Sequence, residues 1–150
     1  MTEPVFASAT MDLTWRYASG AALERLAEGL RAGRLQALRC DGCGRRYLPP
    51  RPVCGRCHRR LSRWVEVADV GTVEAWTVLH EPLLDARTGS PRPVPCGLAL
   101  VRLDGADTTV NHFLAEADPA RLRVGLRVRA VWREERRGAM DDILHFEALP

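Results

Sequence analysis

The sequence predicts a mainly β protein with an N-terminal helix, a compact cysteine-containing ribbon and a small five-stranded barrel. Three observations support this architecture. One segment near the start has apolar residues at helical spacing, and two Cys-x-x-Cys pairs follow it. Beyond the pairs, apolar and polar residues alternate with a period of two between turn signals. We therefore expect three parts, at residues 1–36, 37–62 and 63–150.

The composition indicates one ordinary globular domain with a small appendage. The chain has 150 residues, of which 46% are hydrophobic and 27% charged. Residues 1–9 lack a cationic apolar leader, and the longest apolar stretch, Val94 to Val101, is too short to span a membrane. We expect a cytoplasmic protein with no membrane partner. Residues 1–18 are expected to be irregular, with Trp15 and Tyr17 as their large anchors.

The amphipathic segment predicts a helix from an N-cap at Ser19 to about Ala32. Its apolar stripe comprises Leu23, Leu26, Ala27 and Leu30. Gly33 is expected to end the helix. Because Gly29 costs about 1 kcal/mol relative to alanine, the helix should depend on docking, and we favour another chain over its own domain as the surface.

The two Cys-x-x-Cys pairs predict a tetrahedral metal site. The ligands are Cys40, Cys43, Cys54 and Cys57. Four thiolates suit a structural Zn²⁺ whose closed shell holds structure and performs no chemistry. Gly44 and His58 follow the pairs and suit the left-handed backbone of such turns. A redox pair, two disulfides and a rubredoxin-like iron site are the other interpretations.

The basic residues are concentrated around these cysteines. All 22 are arginine, and residues 39–63 contain eight of them against Asp41 alone. They are Arg39, Arg45, Arg46, Arg51, Arg56, Arg59, Arg60 and Arg63. This segment suits nucleic acid, the phosphates of a nucleotide-like cofactor, an acidic partner, or a solvated face that offsets the metal site.

Strands are predicted where valine, threonine and tryptophan alternate with polar residues. The segments are 34–39, 64–67, 72–79, 97–103, 108–114, 124–133 and 143–148. Residues 81–95 contain four prolines and should form a long loop. The five strands from residue 72 onward, with a longer link between the third and fourth, indicate a partly open Greek-key barrel of the OB type.

No catalytic constellation is apparent in the sequence. His80, His112 and His145 are placed in predicted strands, where packed or edge histidines are the simpler interpretation. The Asp141-Asp142 pair is interpreted as a turn between strands, and Cys96 as a small buried hydrophobe. Neither a nucleophile elbow nor a phosphate-binding loop occurs. The residues therefore indicate a binding subunit.

The order of these parts resembles the domain of unknown function 35 family, whose members have a rubredoxin-like zinc ribbon and an acyl-CoA-associated OB-fold. The resemblance runs from Ser19 to the end of the chain. It rests on Pro49-Pro50-Arg51, Gly71-Thr72-Val73, Trp76-Thr77-Val78, Leu98 to Leu103, Val124 to Val128 and Asp142 to Phe146. His58 stands where the family often has glycine, which affects only local turn geometry.

The resemblance implies a non-catalytic subunit that pairs with a thiolase-superfamily protein in a heterotetramer. Such pairs make or break carbon-carbon bonds in acyl-CoA substrates, as in aromatic degradation or steroid side-chain cleavage. Arg45, Arg46 and Arg51 are candidates for contact with CoA phosphates or with the partner. The family offers no catalytic motif to match.

Two further functions stay open. Zinc ribbons and OB-folds both bind nucleic acid, but residues 97–103 contain no aromatic side chain and residues 108–114 only Phe113 beside His112. Bases therefore have few rings on which to stack, and nucleic acid is the less favoured partner. A stand-alone acyl-CoA binder or enzyme is the third possibility, for which we expect no turnover by the isolated chain.

Overall fold

The computed structural model describes residues 18–85 and 87–150, so Trp15 and Tyr17 lie outside the described residues. One helix, α1, spans Gly20–Arg31. The strands are β1 (Leu35–Arg39), β2 (Arg46–Tyr47), β3 (Arg63–Val67), β4 (Val70–Leu79), β5 (Cys96–Leu103), β6 (Val110–Leu114), β7 (Arg127–Trp132) and β8 (Ile143–Ala148). A 3-10 turn at Met140–Asp142 precedes β8. None of the described helices combines the length and apolarity needed to span a bilayer.

Helix α1 begins and ends close to its predicted limits, but it docks on its own chain. Leu26 and Leu30 are buried in the main core with residues of the barrel, so the expectation of docking on another chain is wrong. The Ser19 side chain makes no capping bond. Gly29 permits the close approach to β1, because a Cβ there would lie 3.0 Å from the Arg34 carbonyl oxygen.

The ribbon is built on a three-stranded antiparallel sheet in the order β2-β1-β3. Strand β3 pairs with β1 along its whole length, from Leu35 opposite Val67 to Arg39 opposite Arg63. Alternation gives the sheet two apolar faces. Leu38 and Tyr47 face the cysteines, whereas Leu35 joins the main core.

The five remaining strands form a closed barrel in the order β4-β5-β6-β8-β7. The expected OB-type connectivity is present, but the expectation of a partly open barrel is wrong. Strand β8 closes it, because it pairs antiparallel with β7 and also parallel with β6 through Leu114 and Phe146. The link between β6 and β7, residues 115–126, is longer than the β5–β6 and β7–β8 links, as expected between the third and fourth barrel strands, but the longest link is residues 80–95 between β4 and β5.

The ribbon is fixed to the barrel by hydrogen bonds that its backbone makes with Asp107 and Thr108. Thr108 Oγ1 accepts a hydrogen bond from the Leu48 amide at 2.9 Å and donates one to the Leu48 carbonyl at 2.8 Å. Beside them the Arg46 amide donates to Asp107 Oδ2 at 2.8 Å, and the Asp107 amide donates to the Arg46 carbonyl. The core that contains Leu48 and Leu35 continues into the barrel through Val73 and Phe146.

Candidate metal centre and binding surfaces

The two Cys-x-x-Cys segments form turns of the same kind. In the first turn the Cys40 carbonyl accepts from the Gly44 amide at 2.8 Å, and in the second the Cys54 carbonyl accepts from the His58 amide at 3.0 Å. Gly44 has φ 76° and His58 has φ 57°. The left-handed backbone predicted at both positions is therefore confirmed, and each turn presents its two sulfurs to the same point.

The four cysteine sulfurs converge in the geometry of a tetrahedral site. They all lie within 4.8 Å of one another. The Cys40 and Cys57 sulfurs are 3.3 Å apart, and those of Cys43 and Cys54 are 3.6 Å apart. Zn–S bonds of about 2.3 Å place sulfurs about 3.8 Å apart in a tetrahedron, whereas a disulfide needs about 2.05 Å. The cluster therefore fits one structural zinc ion.

A buried tyrosine that the sequence reasoning missed supports this cluster. The Tyr47 oxygen accepts a hydrogen bond from the Gly55 amide at 3.1 Å, which leaves its own proton for the Cys54 sulfur at 3.2 Å. This bond is the largest of the contacts that lower the pKa of Cys54 to about 5, ahead of the backbone amides of Cys57 and Arg56. Tyr47 thus stabilises the thiolate form that binds metal. An aromatic residue between the pairs was the available signal.

The three arginines proposed for phosphate contact divide into two groups. Arg51 and Arg45 lie over the Tyr47 ring, with guanidinium carbons 4.9 and 5.8 Å from its centroid. Arg46 donates from Nη1 to the Gly105 carbonyl at 3.2 Å, in the contact between ribbon and barrel. Among the described residues, none of the three guanidiniums forms an ion pair with a carboxylate. Arg45 also donates from Nη2 to the Asp107 carbonyl at 3.3 Å, so within the described residues Arg51 is the one of the three that keeps all its guanidinium N–H groups for an anion.

A buried aspartate joins the two long loops of the barrel. Asp142 is fully buried and accepts bonds from the amides of Arg137, Gly138 and Ala139 at 2.9, 2.6 and 3.1 Å. Arg87, from the proline-rich loop, donates to Asp142 at 2.8 Å and to Asp141 at 3.1 Å. Although burial alone would raise the pKa of Asp142, these donors outweigh it and the pKa is lowered.

The Asp141-Asp142 pair lies between strands as predicted, but its role exceeds that of a turn. Arg87 and Asp142 are 55 residues apart in the sequence, so no local pattern connects them. Their ion pair holds the loop after β4 against the loop before β8. The two loops form the walls of a cleft of about 470 Å³ over β5 and β6. Its apolar lining comprises Leu83, Leu84, Leu98, Phe113, Met140 and Ile143.

The histidines occupy different environments. His112 lies in β6, is 7% exposed and donates through Nε2 to the Met140 carbonyl at 3.1 Å. Burial lowers its pKa, so it is a neutral packed histidine as expected. His145 lies half-buried in β8, whereas His80 is exposed one residue beyond β4, so its placement inside a strand is wrong. Cys96, at the start of β5, is half-buried.

Comparison with known proteins identifies the family. The model of the ChsH2 rubredoxin-like zinc ribbon domain matches residues 27–62, and that of the ChsH2 C-terminal OB-fold domain matches residues 64–133. The chain also superposes on a chain of the Ltp2-ChsH2(DUF35) aldolase with a TM-score of 0.62 and 25% identity, covering 89% of this chain and 98% of that one. The chain belongs to the domain of unknown function 35 family.

Other members of the DUF35 family agree with this assignment. Two DUF35 domain-containing scaffold proteins, from Methanocaldococcus jannaschii and Methanothermobacter thermautotrophicus, are each 25% identical over 113 residues. The match covers 75% of this chain and 77% and 81% of the two relatives. A DUF35 protein from Sulfolobus solfataricus has the same fold, with a TM-score of 0.62 at 20% identity over 86% of this chain and 84% of that one.

Proposed function

We propose that this protein is a non-catalytic accessory subunit of a thiolase-superfamily enzyme that makes or breaks carbon-carbon bonds in acyl-CoA substrates. The observation that carries the proposal is the superposition on the DUF35 chain of an aldolase, which covers 98% of that chain. The match includes helix, ribbon and barrel together, so it supports a shared way of assembling with an enzyme. The scaffold proteins among its relatives support the same role.

The zinc ribbon would contribute rigidity to such an assembly. Zinc held by Cys40, Cys43, Cys54 and Cys57 would fix the two turns relative to each other. Tyr47 supports the Cys54 thiolate, and the Leu48 and Thr108 bonds connect the ribbon to the barrel. Helix and ribbon would then contact the partner as one surface.

The basic ribbon surface would recognise an anion. Arg45, Arg46 and Arg51 are the proposed contacts for CoA phosphates or partner carboxylates, since a guanidinium pairs with either group through two N–H bonds. Arg51 contributes most to this proposal, because Arg46 already donates to the Gly105 carbonyl and Arg45 to the Asp107 carbonyl. Arg45 and Arg51 both lie over the Tyr47 ring beside the zinc turns, which limits the positions that they adopt.

The barrel would lie near the entrance used by the acyl-CoA substrate. Its apolar cleft of about 470 Å³ falls within the range of small-molecule sites, and the Arg87 contacts preorganise its two walls. The proposed setting is a cytoplasmic heterotetramer that acts in steroid side-chain or aromatic degradation, in either the thiolase or the aldolase direction.

Coexpression with the thiolase-superfamily protein encoded beside it tests this role. We expect the two proteins to copurify, to elute together on gel filtration and to turn over acyl-CoA only in the complex. Clean separation of the two proteins, with full activity of the partner alone, would contradict the proposal. Turnover of acyl-CoA by the isolated chain would identify an enzyme.

The basic ribbon also favours nucleic acid as a second candidate, and its test is binding to a fluorescent single-stranded oligonucleotide. The Phe113 ring is covered by the Arg92 guanidinium at 3.9 Å, which makes this ring a poor surface for base stacking. We expect no retention at low salt. Salt-sensitive, micromolar binding would support the nucleic-acid function instead.

A further inference from the structure

A groove runs between the start of α1 and the zinc ribbon. It has a volume of about 440 Å³. One wall is the first turn of the helix, and the other is the chain around the second Cys-x-x-Cys turn. The side chains that form it include Ala22, Leu23, Leu38, Pro50, Leu61 and Trp64.

The floor of this groove is apolar and firmly held. Leu38 and Leu61 belong to the buried cluster around the cysteines, and Trp64 packs against that cluster. Leu23 lies at the rim with 38% of its surface exposed, although it is on the apolar side of the helix. An apolar floor with an exposed leucine at its edge is typical of a surface that receives another apolar side chain.

The rim of the groove is positively charged. Arg25 lies over the Trp64 ring at 4.9 Å, and Arg51 lines the groove while it lies over the Tyr47 ring. Within residues 18–85 and 87–150, neither guanidinium has a carboxylate within 4.0 Å. The first turn of α1 contains no acidic residue, so the positive end of the helix dipole adds to this charge.

We propose that this groove docks an acidic amphipathic segment of the partner enzyme. Apolar side chains of that segment would occupy the floor beside Leu23, and its carboxylates would pair with Arg25 and Arg51. The stacked rings hold both guanidiniums in place, which reduces the conformational entropy lost on pairing. This inference rests on the proposed function and adds the docking position and the chemistry of the partner.

The positive rim also argues against two other occupants, which are a second copy of this chain and nucleic acid. A two-fold dimer of this chain through the groove would place one arginine rim against another, because such an interface uses the same patch twice. Nucleic acid would match the positive rim but not the apolar floor, since Arg25 already covers the Trp64 ring and the other described residues that line the groove carry no aromatic ring for base stacking. An acidic amphipathic protein segment complements both the positive rim and the apolar floor.

Binding of the full-length chain to the purified partner tests the inference by calorimetry at two salt concentrations. For the double variant Arg25→Glu with Arg51→Glu, we expect affinity to fall at least tenfold and the salt dependence to weaken. Leu23→Asn should lower affinity several-fold with the salt dependence unchanged. The matched control, Arg123→Glu with Arg129→Glu, makes the same charge change on exposed barrel positions and should remain within twofold of the wild type.

Circular dichroism and zinc content verify that every variant is folded. If the wild type binds the partner and both groove variants bind equally well, the groove is not the docking site, although the proposed function stands. If the wild type does not bind, the proposed function itself fails.

Hydrogen exchange on the isolated chain supplies a further test. Protection of residues 19–23 and 61–64 that is lost in Trp15→Ala with Tyr17→Ala would assign the groove to the chain's own N-terminal residues and overturn the inference.

Discussion

The Tyr47 hydroxyl donates a hydrogen bond from a buried side chain to one of the zinc ligands. It bonds to the Cys54 sulfur and to the Gly55 amide, so the variant Tyr47→Phe leaves both groups without their partner. We expect this variant to lose about 2 kcal/mol of stability, since bonds to charged groups are the stronger ones. Zinc transfer to a chromogenic chelator should be several-fold faster than in the wild type. An unchanged transfer rate would contradict this role.

Asp142 makes the stability of the fold depend on pH in the acidic range. Its folded pKa lies below the unfolded value of about 3.9, so its contribution is present above that pH and is lost as the pH falls through the folded pKa. The variant Asp142→Asn replaces the carboxylate that faces three backbone N–H donors and Arg87 with a neutral amide. We expect a loss of about 3 kcal/mol at pH 7 by urea denaturation, and a smaller difference from the wild type below pH 4.

A matched control separates this effect from a general change of charge. Glu134→Gln removes one negative charge from an exposed side chain of the same loop and should change stability by less than about 0.5 kcal/mol. Acid also releases zinc from both proteins, but the comparison at each pH cancels that effect. An Asp142→Asn protein with the same acid dependence as the wild type would refute the assignment.

At the scale of elements, helix α1 and the loop before β8 hold each other in place. Arg31 donates from Nε to the Arg137 carbonyl at 3.0 Å, and Arg136 donates from Nε to the Arg31 carbonyl at 3.1 Å. A Cβ on Gly138 would lie 2.8 Å from the Ala27 carbonyl oxygen. The loop that carries Asp142 therefore contacts the helix as well as the proline-rich loop.

Two alanine variants test this packing at nearly the same φ angle. Gly138 has φ 88° and Gly125 has φ 87°, but no atom lies within 4 Å of a Cβ at Gly125. Gly125→Ala should cost about 1 kcal/mol through the left-handed backbone alone. Gly138→Ala should cost at least about 2 kcal/mol more, because the helix must move. Thermal unfolding measures both, and equal losses would show that the helix does not depend on this contact.

At the scale of the molecule, one core is shared by helix, ribbon and barrel. Leu30, Leu35 and Leu48 pack in the same cluster as Val101 and Phe146. We therefore expect one cooperative unfolding transition for the zinc-bound protein, whose midpoint falls when a chelator removes the metal. Calorimetry of the chelated protein provides the measurement. A barrel transition at an unchanged temperature would show that the ribbon and barrel unfold independently.

The variant Cys40→Ser tests the importance of zinc for the proposed assembly. It removes a buried thiolate ligand, so the first turn should lose the metal that fixes its shape. We expect complex formation with the partner to be lost before any change in the partner's own chemistry. Gel filtration and activity assays distinguish the two. A Cys40→Ser protein that still forms the full complex would contradict this role of the metal.

The sequence by itself determined the features that depend only on residues close together in the chain. The spacing of the cysteines predicts the zinc site, and Gly44 and His58 predict its two turns because a left-handed backbone is a local property. Helix α1 and most strands followed from periodicity. The division into residues 1–36, 37–62 and 63–150 stays a prediction.

Only the tertiary structure decided which distant groups meet. Arg87 and Asp142 are 55 residues apart in the sequence. Leu26 is on the apolar stripe of the helix whether that stripe packs on this chain or on another, and the structure shows that it packs on this one. The closure of the barrel depends on one parallel pairing, Leu114 with Phe146, between strands that are separated in sequence by a third. Periodicity shows which face of an element is apolar but not what will cover it. The cleft and the charged groove likewise exist only where separate segments pack together.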